Sequence, residues 1–189
     1  MAGNWQQGLP LLVTSRVVLR ELRSSDAPAL ARVARTPETA RYAWTTPSNA
    51  DGFDAFIKHG WSDRSSGRYA CFAIVPQGAP DPAGVLELRS LQPRFFRAEL
   101  GMLVDPALWG TPAFEDAVRL MCRFAVGTVG VHRIEIRTAA AYAACTAALE
   151  QIGIQREAQL RASFAYGGRF DDQYLWSIVS GLDRLAQAG

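Results

Sequence analysis

The hydrophobic and polar positions of the chain alternate early and then take a helical period. Apolar and polar residues alternate in VVLREL, which predicts a half-buried strand. SSDAPALARVA follows, and its Ser or Asp can cap a short helix. Further on, NADGFDAFIKHGW places apolar residues on one helical face after a cap at Asn49 or Asp51. The chain therefore opens with a strand and helices.

Three strand-like runs occupy the middle of the chain. They are RYACFAIV, AGVLELRSL and RAELGMLVD, and turn-rich or hairpin-length segments connect them, which predicts an antiparallel meander. The clearest helix then runs from Ala113 to Val126, because its apolar residues recur at steps of three and four.

The last third of the chain combines one strand, one helix and one hairpin. VHRIEIRT predicts a strand, and AAYAACTAALEQIG predicts an alanine-rich helix that ends at Gly153. Two long strands, IQREAQLRASFAY and FDDQYLWSIV, then meet across a Gly-Gly turn. Two crossover helices between strands imply a mixed sheet, so the predicted fold class is α+β. We expect one domain over residues 1–189, with loose tails at residues 1–14 and 181–189.

Composition narrows the classes of function. With 49% hydrophobic residues in a chain of 189, one domain can bury its own core. There is no leader-like segment and no apolar run near the ~20 residues of a membrane helix, so we expect a cytoplasmic protein without a membrane partner. The net charge of +2 is spread without a basic stripe, which argues against nucleic acid as a partner. Three separated cysteines and two histidines predict no metal site.

Several spaced motifs resemble those of the GCN5-related N-acetyltransferase (GNAT) superfamily. AELGMLVDPALWG precedes the clear helix, VHRIEIR follows it, and ALEQIGIQREAQLRASFAYGGRFDDQYLWSIV completes the order. The similarity also takes in VVLRELRSSDAPAL and RYAW, so it extends from Val17 to Val179. The nearest branch is the RimJ/RimL-like one, which acts on N-terminal amines of ribosomal proteins.

The resemblance implies a specific fold and activity. The fold is a mixed, mostly antiparallel sheet of about seven strands, with helices on both faces and a V-shaped splay between the fourth and fifth strands. A bulge near Gly101 would support the splay. The implied activity is transfer of an acyl group from acetyl-CoA to a primary amine, either a small molecule or a protein N-terminus, by direct attack. A homodimer is an expectation of the family.

The resemblance also assigns an acyl-CoA site. Backbone groups of Met102, Leu103 and Val104 would hydrogen-bond to the acyl end of the coenzyme. The pyrophosphate would lie at the start of the following helix, where N–H groups and the helix dipole favour an anion. The residues implied at that helix start are Trp109, Gly110, Thr111, Ala113 and Phe114.

This helix start departs from the family pattern. Pro112 replaces a glycine and has no N–H to offer a phosphate, while Phe114 replaces a small residue and would hold the backbone away. Glu115 adds a negative charge to the first turn. The same residues also describe an ordinary helix start, with Thr111 as N-cap and Pro112 at the first helical position. An alternative therefore stays open, in which a non-catalytic GNAT-fold protein has altered or lost coenzyme binding and acts as a binding or assembly module.

Amine acylation by a thioester needs a base, donors for the developing oxyanion and a proton source for the leaving thiolate. Glu99 is the candidate base, and a water chain to Glu87 or Asp172 is a looser possibility. The alternative for Glu99 is a structural ion pair with Arg97 or Arg89. Tyr142 and Cys145 are the candidate acids, because a phenol and a thiol are protonated at neutral pH. For Cys145 a buried place in the core is the alternative.

Two residues are candidates for binding the amine acceptor. Trp44 lies where the family has its acceptor pocket, and Asp172 falls on a frequently acidic family position, so we expect Asp172 to bind a cationic amine. A further alternative is a thiol enzyme in which Cys145 and His132 form a nucleophilic pair.

Overall fold

One eight-stranded sheet organises the chain, in the order β1-β2-β3-β4-β5-β6-β8-β7. The computed structural model describes residues 4–42, 47–90 and 96–181. The strands are β1 (Leu12–Val13), β2 (Val17–Glu21), β3 (Tyr69–Pro76), β4 (Gly84–Ser90), β5 (Arg97–Val104), β6 (Arg133–Ala139), β7 (Gln155–Tyr166) and β8 (Arg169–Val179). The helices are α1 (Ala27–Ala34), α2 (Pro37–Tyr42), α3 (Ala50–Ser65), α4 (Pro112–Arg123) and α5 (Ala143–Gln151).

The sheet is mixed and mostly antiparallel, which confirms the predicted α+β class. Only β5 and β6 pair in parallel, because α4 crosses between them. Helices cover both faces of the sheet. Residues of α1 and α3 form one hydrophobic cluster with β3, and residues of α4 and α5 form a second, larger cluster on the opposite face.

The segment before β2 is packed against the domain, whereas the sequence analysis assigns residues 1–14 to a loose tail. β1 adds an eighth strand to the seven expected, with Leu12 opposite Leu19. Trp5 and Leu9 pack against the larger hydrophobic cluster, and the Trp5 ring meets Phe124 edge-to-face at 6.2 Å between centroids. A two-residue strand is too short to show alternation, which is why the sequence pattern missed it. The C-terminal tail beyond Gly181 lies outside the described residues.

Local signals set the ends of the helices. The Asn49 side chain caps α3 by accepting a hydrogen bond from the Gly52 N–H at 2.8 Å. The last turns of α4 widen into a π-helical segment, Phe124–Val129, which ends at Gly130 with φ 87°. The β7–β8 turn is made by Gly167 and Gly168, both with positive φ, as a two-residue hairpin requires.

The fourth and fifth of the predicted strands, β5 and β6, do splay apart. They pair only where Arg97–Glu99 face Arg133–Glu135, and beyond this point the two strands diverge. The predicted bulge near Gly101 is wrong, since β5 keeps an unbroken register with β4 from Ala98 to Val104. The glycine serves a different purpose, because a Cβ there would lie 2.5 Å from Glu87 Oε1.

Candidate active site

A cleft opens between the diverging ends of β5 and β6. Strands β4, β5 and β6 form its floor, and residues from α2, α3 and the start of α5 form its walls. The residues predicted from sequence that line this cleft are Glu99, Met102, Leu103, Val104, Trp109, Tyr142 and Cys145.

The backbone hydrogen-bonding groups of β5 point alternately towards its two neighbouring strands, β4 and β6. The Phe96 carbonyl, just before β5, accepts a hydrogen bond from the Arg133 N–H of β6 at 3.1 Å. Just after β5, the Asp105 N–H donates to the Ala83 carbonyl on the β4 side at 2.8 Å. Successive residues of a strand direct their backbone N–H and C=O groups to opposite edges. The backbone groups of the even-numbered residues of β5 therefore point towards β6, and those of the odd-numbered residues point towards β4.

The cleft side of β5 therefore presents the backbone groups of Met102 and Val104. Both residues lie beyond the last β5–β6 pair, so their N–H and C=O groups meet no partner strand on this side within the described chain. Leu103, which the sequence analysis groups with them, directs its backbone groups to β4 and its side chain to the cluster with α1 and α3. Two of the three predicted residues thus offer hydrogen-bonding groups to the cleft.

Glu99 lines the cleft, and its carboxylate has no partner among the described residues. Arg89 stands opposite it in the β4–β5 register, but the Arg89 guanidinium binds Glu87 at 3.0 Å instead. Arg97, the other predicted partner, faces Glu135 at 3.6 Å. Within the described chain the Glu99 carboxylate makes no hydrogen bond or ion pair. The structural ion pair with Arg97 or Arg89 that the sequence analysis left open is therefore not observed.

Burial raises the pKa of Glu99 above its ordinary value. Arg137 and Arg89 act in the opposite direction through their positive charges, and Glu87 adds a further upward contribution. A half-buried carboxylate with a raised pKa in a cleft is a stronger base than an ordinary glutamate.

A second carboxylate, that of Glu87, lies in the same cleft. In the sequence analysis it was only a looser possibility for the base, reached through a water chain. The Tyr69 hydroxyl donates to Glu87 Oε2 at 2.5 Å, and Arg89 binds Glu87 Oε1. Tyr69 is buried, and burial raises its pKa, so its proton stays on the phenol. The signal was present in AGVLELRSL, because alternation along β4 puts Glu87 and Arg89 on the face that Glu99 occupies on β5.

Tyr142 forms an aromatic wall of the cleft with Trp109 and Tyr42. The Trp109 indole N–H donates to the Tyr142 hydroxyl oxygen at 2.7 Å, and the Tyr42 ring stacks on Tyr142 with centroids 4.7 Å apart. Burial raises the pKa of Tyr142 to about 12. The phenol is therefore protonated at neutral pH, and because its oxygen accepts from Trp109, its own O–H remains a donor for the cleft.

Cys145 lies at the border between the cleft and the core. It is only 3% exposed, packs in the larger hydrophobic cluster and lines the cleft wall. Burial raises the pKa of its thiol, so it is protonated at neutral pH. His132 precedes β6 while Cys145 follows it, and a seven-residue strand at about 3.3 Å per residue separates them by roughly 20 Å. The nucleophilic pair of Cys145 and His132 therefore does not form.

The start of α4 is well capped. Thr111 Oγ1 accepts from the Phe114 N–H at 3.2 Å, and Pro112 occupies the first helical position. The Phe114 ring is completely buried and packs edge-to-face on Trp109 with centroids 4.7 Å apart. Phe114 thus points into the core, and it does not hold the outer side of the loop away from a ligand.

Charges in the first turn of α4 are compensated. Glu115 pairs with Arg119 at 2.7 Å, and Asp116 pairs with Arg16 at 3.0 Å. This removes most of the repulsion that the sequence suggested for a phosphate. The N–H groups of Gly110 and Ala113 make no backbone hydrogen bond within the described chain, so they are available at the positive end of the helix dipole.

Of the two predicted acceptor-binding residues, Trp44 lies outside the described residues. Asp172 is not among the described residues that line the cleft. The Asp172 carboxylate accepts hydrogen bonds from the Ala162 N–H at 2.9 Å and from Gln159 at 2.6 Å, and these lower its pKa. These bonds hold an irregular stretch of β7 where Ala162 has φ 49°. Asp172 is therefore a structural residue of the hairpin, and its predicted role in binding an amine is not supported by its position.

Within the described ranges, no cluster of three or more His, Cys, Asp or Glu side chains is arranged for a metal ion. The same residues contain no helix with the length and apolar character needed to span a bilayer.

Comparisons with known proteins agree with this architecture. A family model described as an acetyltransferase (GNAT) domain matches residues 16–155. The "uncharacterized N-acetyltransferase p20" of Bacillus licheniformis is 25% identical over 173 residues, which cover 89% of this chain and 95% of that protein. Among solved structures, Mycobacterium smegmatis RimJ in complex with CoA-disulfide has a TM-score of 0.76 at 20% identity, covering 90% of this chain and 86% of that one.

A second solved structure has the same fold at lower identity. The ribosomal-protein-S5-alanine acetyltransferase from Vibrio fischeri has a TM-score of 0.78 at 15% identity, covering 90% of this chain and 96% of that one. The family model covers strands β2 to β6 and helices α1 to α5. It therefore includes the splayed strands that form the cleft. The chain belongs to the GNAT acetyltransferase family.

Proposed function

We propose that this protein is an acetyl-CoA-dependent N-acetyltransferase that transfers the acetyl group to a primary amine, of a small molecule or a protein N-terminus, by direct attack. The observation that carries the proposal is the open edge of β5. Backbone groups of Met102 and Val104 face the cleft there, and the Glu99 carboxylate, which has no partner within the described ranges, lies in the same cleft. A cytoplasmic location and a homodimer stay predictions.

The residues present fit acetyl-CoA at two places, the open edge of β5 and the start of α4. The open β5 edge offers N–H and C=O groups to the amide-bearing arm of the coenzyme, in the manner of a strand that lacks a neighbour. The N–H groups of Gly110 and Ala113 and the positive end of the α4 dipole suit a pyrophosphate. Pro112 reduces the number of such donors by one but does not block the others.

Each chemical requirement of the transfer has a group in the cleft. Bound acetyl-CoA supplies the activated thioester. Glu99 accepts a proton from the ammonium form of the acceptor, and a backbone N–H of the β5 edge stabilises the developing oxyanion. Tyr142 donates its proton to the leaving sulfur and regains one from the attacking nitrogen. A C–N bond forms as the C–S bond breaks, so the products are an N-acetyl compound, the free thiol and one proton on Glu99.

Coenzyme binding is the first measurement. Acetyl-CoA at a hundredfold over its dissociation constant should stabilise the protein by about 2.7 kcal/mol. That corresponds to a rise of roughly 5–10 °C in Tm for a chain of this size. Calorimetric titration should give a stoichiometry near one per chain, and release of free thiol should then be followed with a panel of amines. Absence of both heat and stabilisation would favour the non-catalytic alternative, and binding without thiol release to any amine would refute the enzymatic part alone.

A further inference from the structure

The cleft carries a negative charge on its β4–β5 side and a positive charge on β6. The Glu87 carboxylate lies over Gly101 of β5, as the 2.5 Å approach to the position of a Cβ shows. Continuing the parallel register from Glu99 and Glu135 by two residues brings Arg137 of β6 level with Gly101. Both Glu87 and Arg137 line the cleft. A carboxylate and a guanidinium therefore face each other across the splay.

Arg137 differs from the other arginines of this face in having no partner within the described chain. Three neighbours are each committed to a carboxylate: Arg89 to Glu87, Arg97 to Glu135 and Arg133 to Glu157. No hydrogen bond or ion pair of Arg137 is found among the described residues, although its charge influences Glu99 from nearby. Its planar fork of N–H donors is thus available to a carboxylate from outside the chain.

The third wall of the same space is apolar. Phe53 and Phe56 of α3 meet edge-to-face with centroids 6.1 Å apart, and Val85 and Leu103 continue this surface on β4 and β5. A ligand between Glu87 and Arg137 would therefore place an apolar group against aromatic rings.

These three features match the three substituents of one kind of molecule. Resting on the function proposed above, we infer that the acceptor is a small primary amine of the α-amino-acid class, with a free carboxylate and an apolar side chain. Glu87 accepts from Tyr69 and Arg89 and keeps further lone pairs, with which it binds the ammonium group. Arg137 binds the carboxylate, and the α3 wall contacts the side chain. A protein N-terminus lacks this carboxylate, because its first carboxyl group is an amide and cannot form a charged bidentate pair.

The test compares amino acids with their own amides. L-phenylalanine, L-leucine and L-methionine are each measured beside the matching amide, with 2-phenylethylamine and a peptide that begins with Phe as further acceptors. At saturating acetyl-CoA, the wild-type kcat/KM should favour each free amino acid over its amide by about tenfold or more. Arg137→Gln should lower the value for amino acids by about 10- to 100-fold, while amides and 2-phenylethylamine change less than about threefold. Arg32→Gln, an exposed arginine outside the cleft, is the matched control.

Three results would overturn the assignment. They are equal or better use of amides, better use of the peptide, and an Arg137→Gln effect that is the same for every acceptor. The last would mean that Arg137 acts only through the charge of Glu99, and the acidic limb of the kcat profile would then move as well.

Binding measurements distinguish a failure of the proposed acetyltransferase activity from a failure of the acceptor assignment. Binding of each amino acid and its amide is measured by calorimetry with CoA present, in wild type and in Arg137→Gln. If no acceptor is acetylated, selective binding of the amino acids that is lost in Arg137→Gln would still support the acceptor assignment. Equal binding of acids and amides would refute it even in an active enzyme.

Discussion

Replacement of Gly101 by alanine tests whether the glycine exists to make room for Glu87. The new Cβ would lie 2.5 Å from Glu87 Oε1 and 2.7 Å from Glu87 Cγ. Ordinary contacts between such atoms are about 3.5–4.0 Å, so the Glu87 side chain must withdraw by about 1 Å. The backbone can stay in place, because the obstructing atoms belong to a side chain.

The withdrawal has a cost that the structure defines. Glu87 leaves the hydroxyl of Tyr69, which is buried and donates to it at 2.5 Å. A buried donor without its partner costs about 1–3 kcal/mol. Alanine in place of a strand glycine returns about 0.5–1 kcal/mol of backbone entropy. We expect Gly101→Ala to lower the free energy of unfolding by about 1–2 kcal/mol, and Tm by roughly 2–8 °C.

The assay is a double-mutant cycle in urea unfolding with Glu87→Ala as the second change. In the Glu87→Ala background the obstruction is gone, so Gly101→Ala should cost less than about 0.5 kcal/mol. Equal costs in the two backgrounds would refute the reasoning, since the glycine would then be needed for the backbone alone. The single variant should also raise KM for the amine and leave the affinity for CoA unchanged, because Met102 and Val104 keep their backbone positions.

Four further expectations concern the chemistry and the charges. Glu99→Gln should lower kcat/KM by about 10²-fold or more and remove the acidic limb of the pH profile of kcat/KM. In wild type that limb should lie above the ordinary glutamate pKa, because burial raises the pKa of Glu99. An unchanged profile would exclude Glu99 as the base. Tyr142→Phe should lower kcat with little change in CoA affinity if Tyr142 donates the proton to sulfur, and a normal kcat would assign that step to another donor. Pro112→Gly should tighten CoA binding by adding one N–H, and an unchanged dissociation constant would show that the phosphates bind elsewhere. The Arg133 guanidinium lowers the pKa of Glu157 from 4.5 to about 2. The contribution of this ion pair to stability is therefore fully present above pH 4.5 and is lost as the pH falls towards 2. Glu157→Gln should destabilise the protein at pH 7 and have almost no effect on stability at the acid end of an unfolding titration.

The sequence predicted the order of strands and helices because that order depends on local patterns. Alternation in VVLREL and AGVLELRSL and the helical period after Ala113 reflect one buried face per element. Phe114 shows that the helical pattern also predicts which side chains are buried. It belongs to the apolar face of that helix, and the structure buries it accordingly, whereas its place at a small residue of the family pattern suggested a side chain that holds the backbone away from a phosphate.

The acceptor side could not be predicted in the same way, because it depends on which strands become neighbours. Asp172 was selected for its position in a family pattern, but hydrogen bonds within the hairpin occupy its carboxylate. Glu87 received only a looser role, because its own segment predicts the face on which it lies but not that it will lie over Gly101, fourteen positions later. That contact exists only through the β4–β5 register, which a linear pattern does not contain.

The geometry of β5 allows a single strand to serve both substrates of the proposed reaction. In a strand, backbone N–H and C=O groups lie in the plane of the sheet, while side chains stand perpendicular to it. The splay exposes the in-plane groups of Met102 and Val104 to the cleft, where we propose that the coenzyme binds, and the face of the same strand presents Glu99 and the space above Gly101 to the proposed acceptor. Changes of side chain on this face should therefore alter acceptor choice without disturbing the groups that bind acetyl-CoA. Acceptor specificity can then be read from the side chains on the cleft face of β4, β5 and β6, and coenzyme binding from the backbone of β5 and the start of α4.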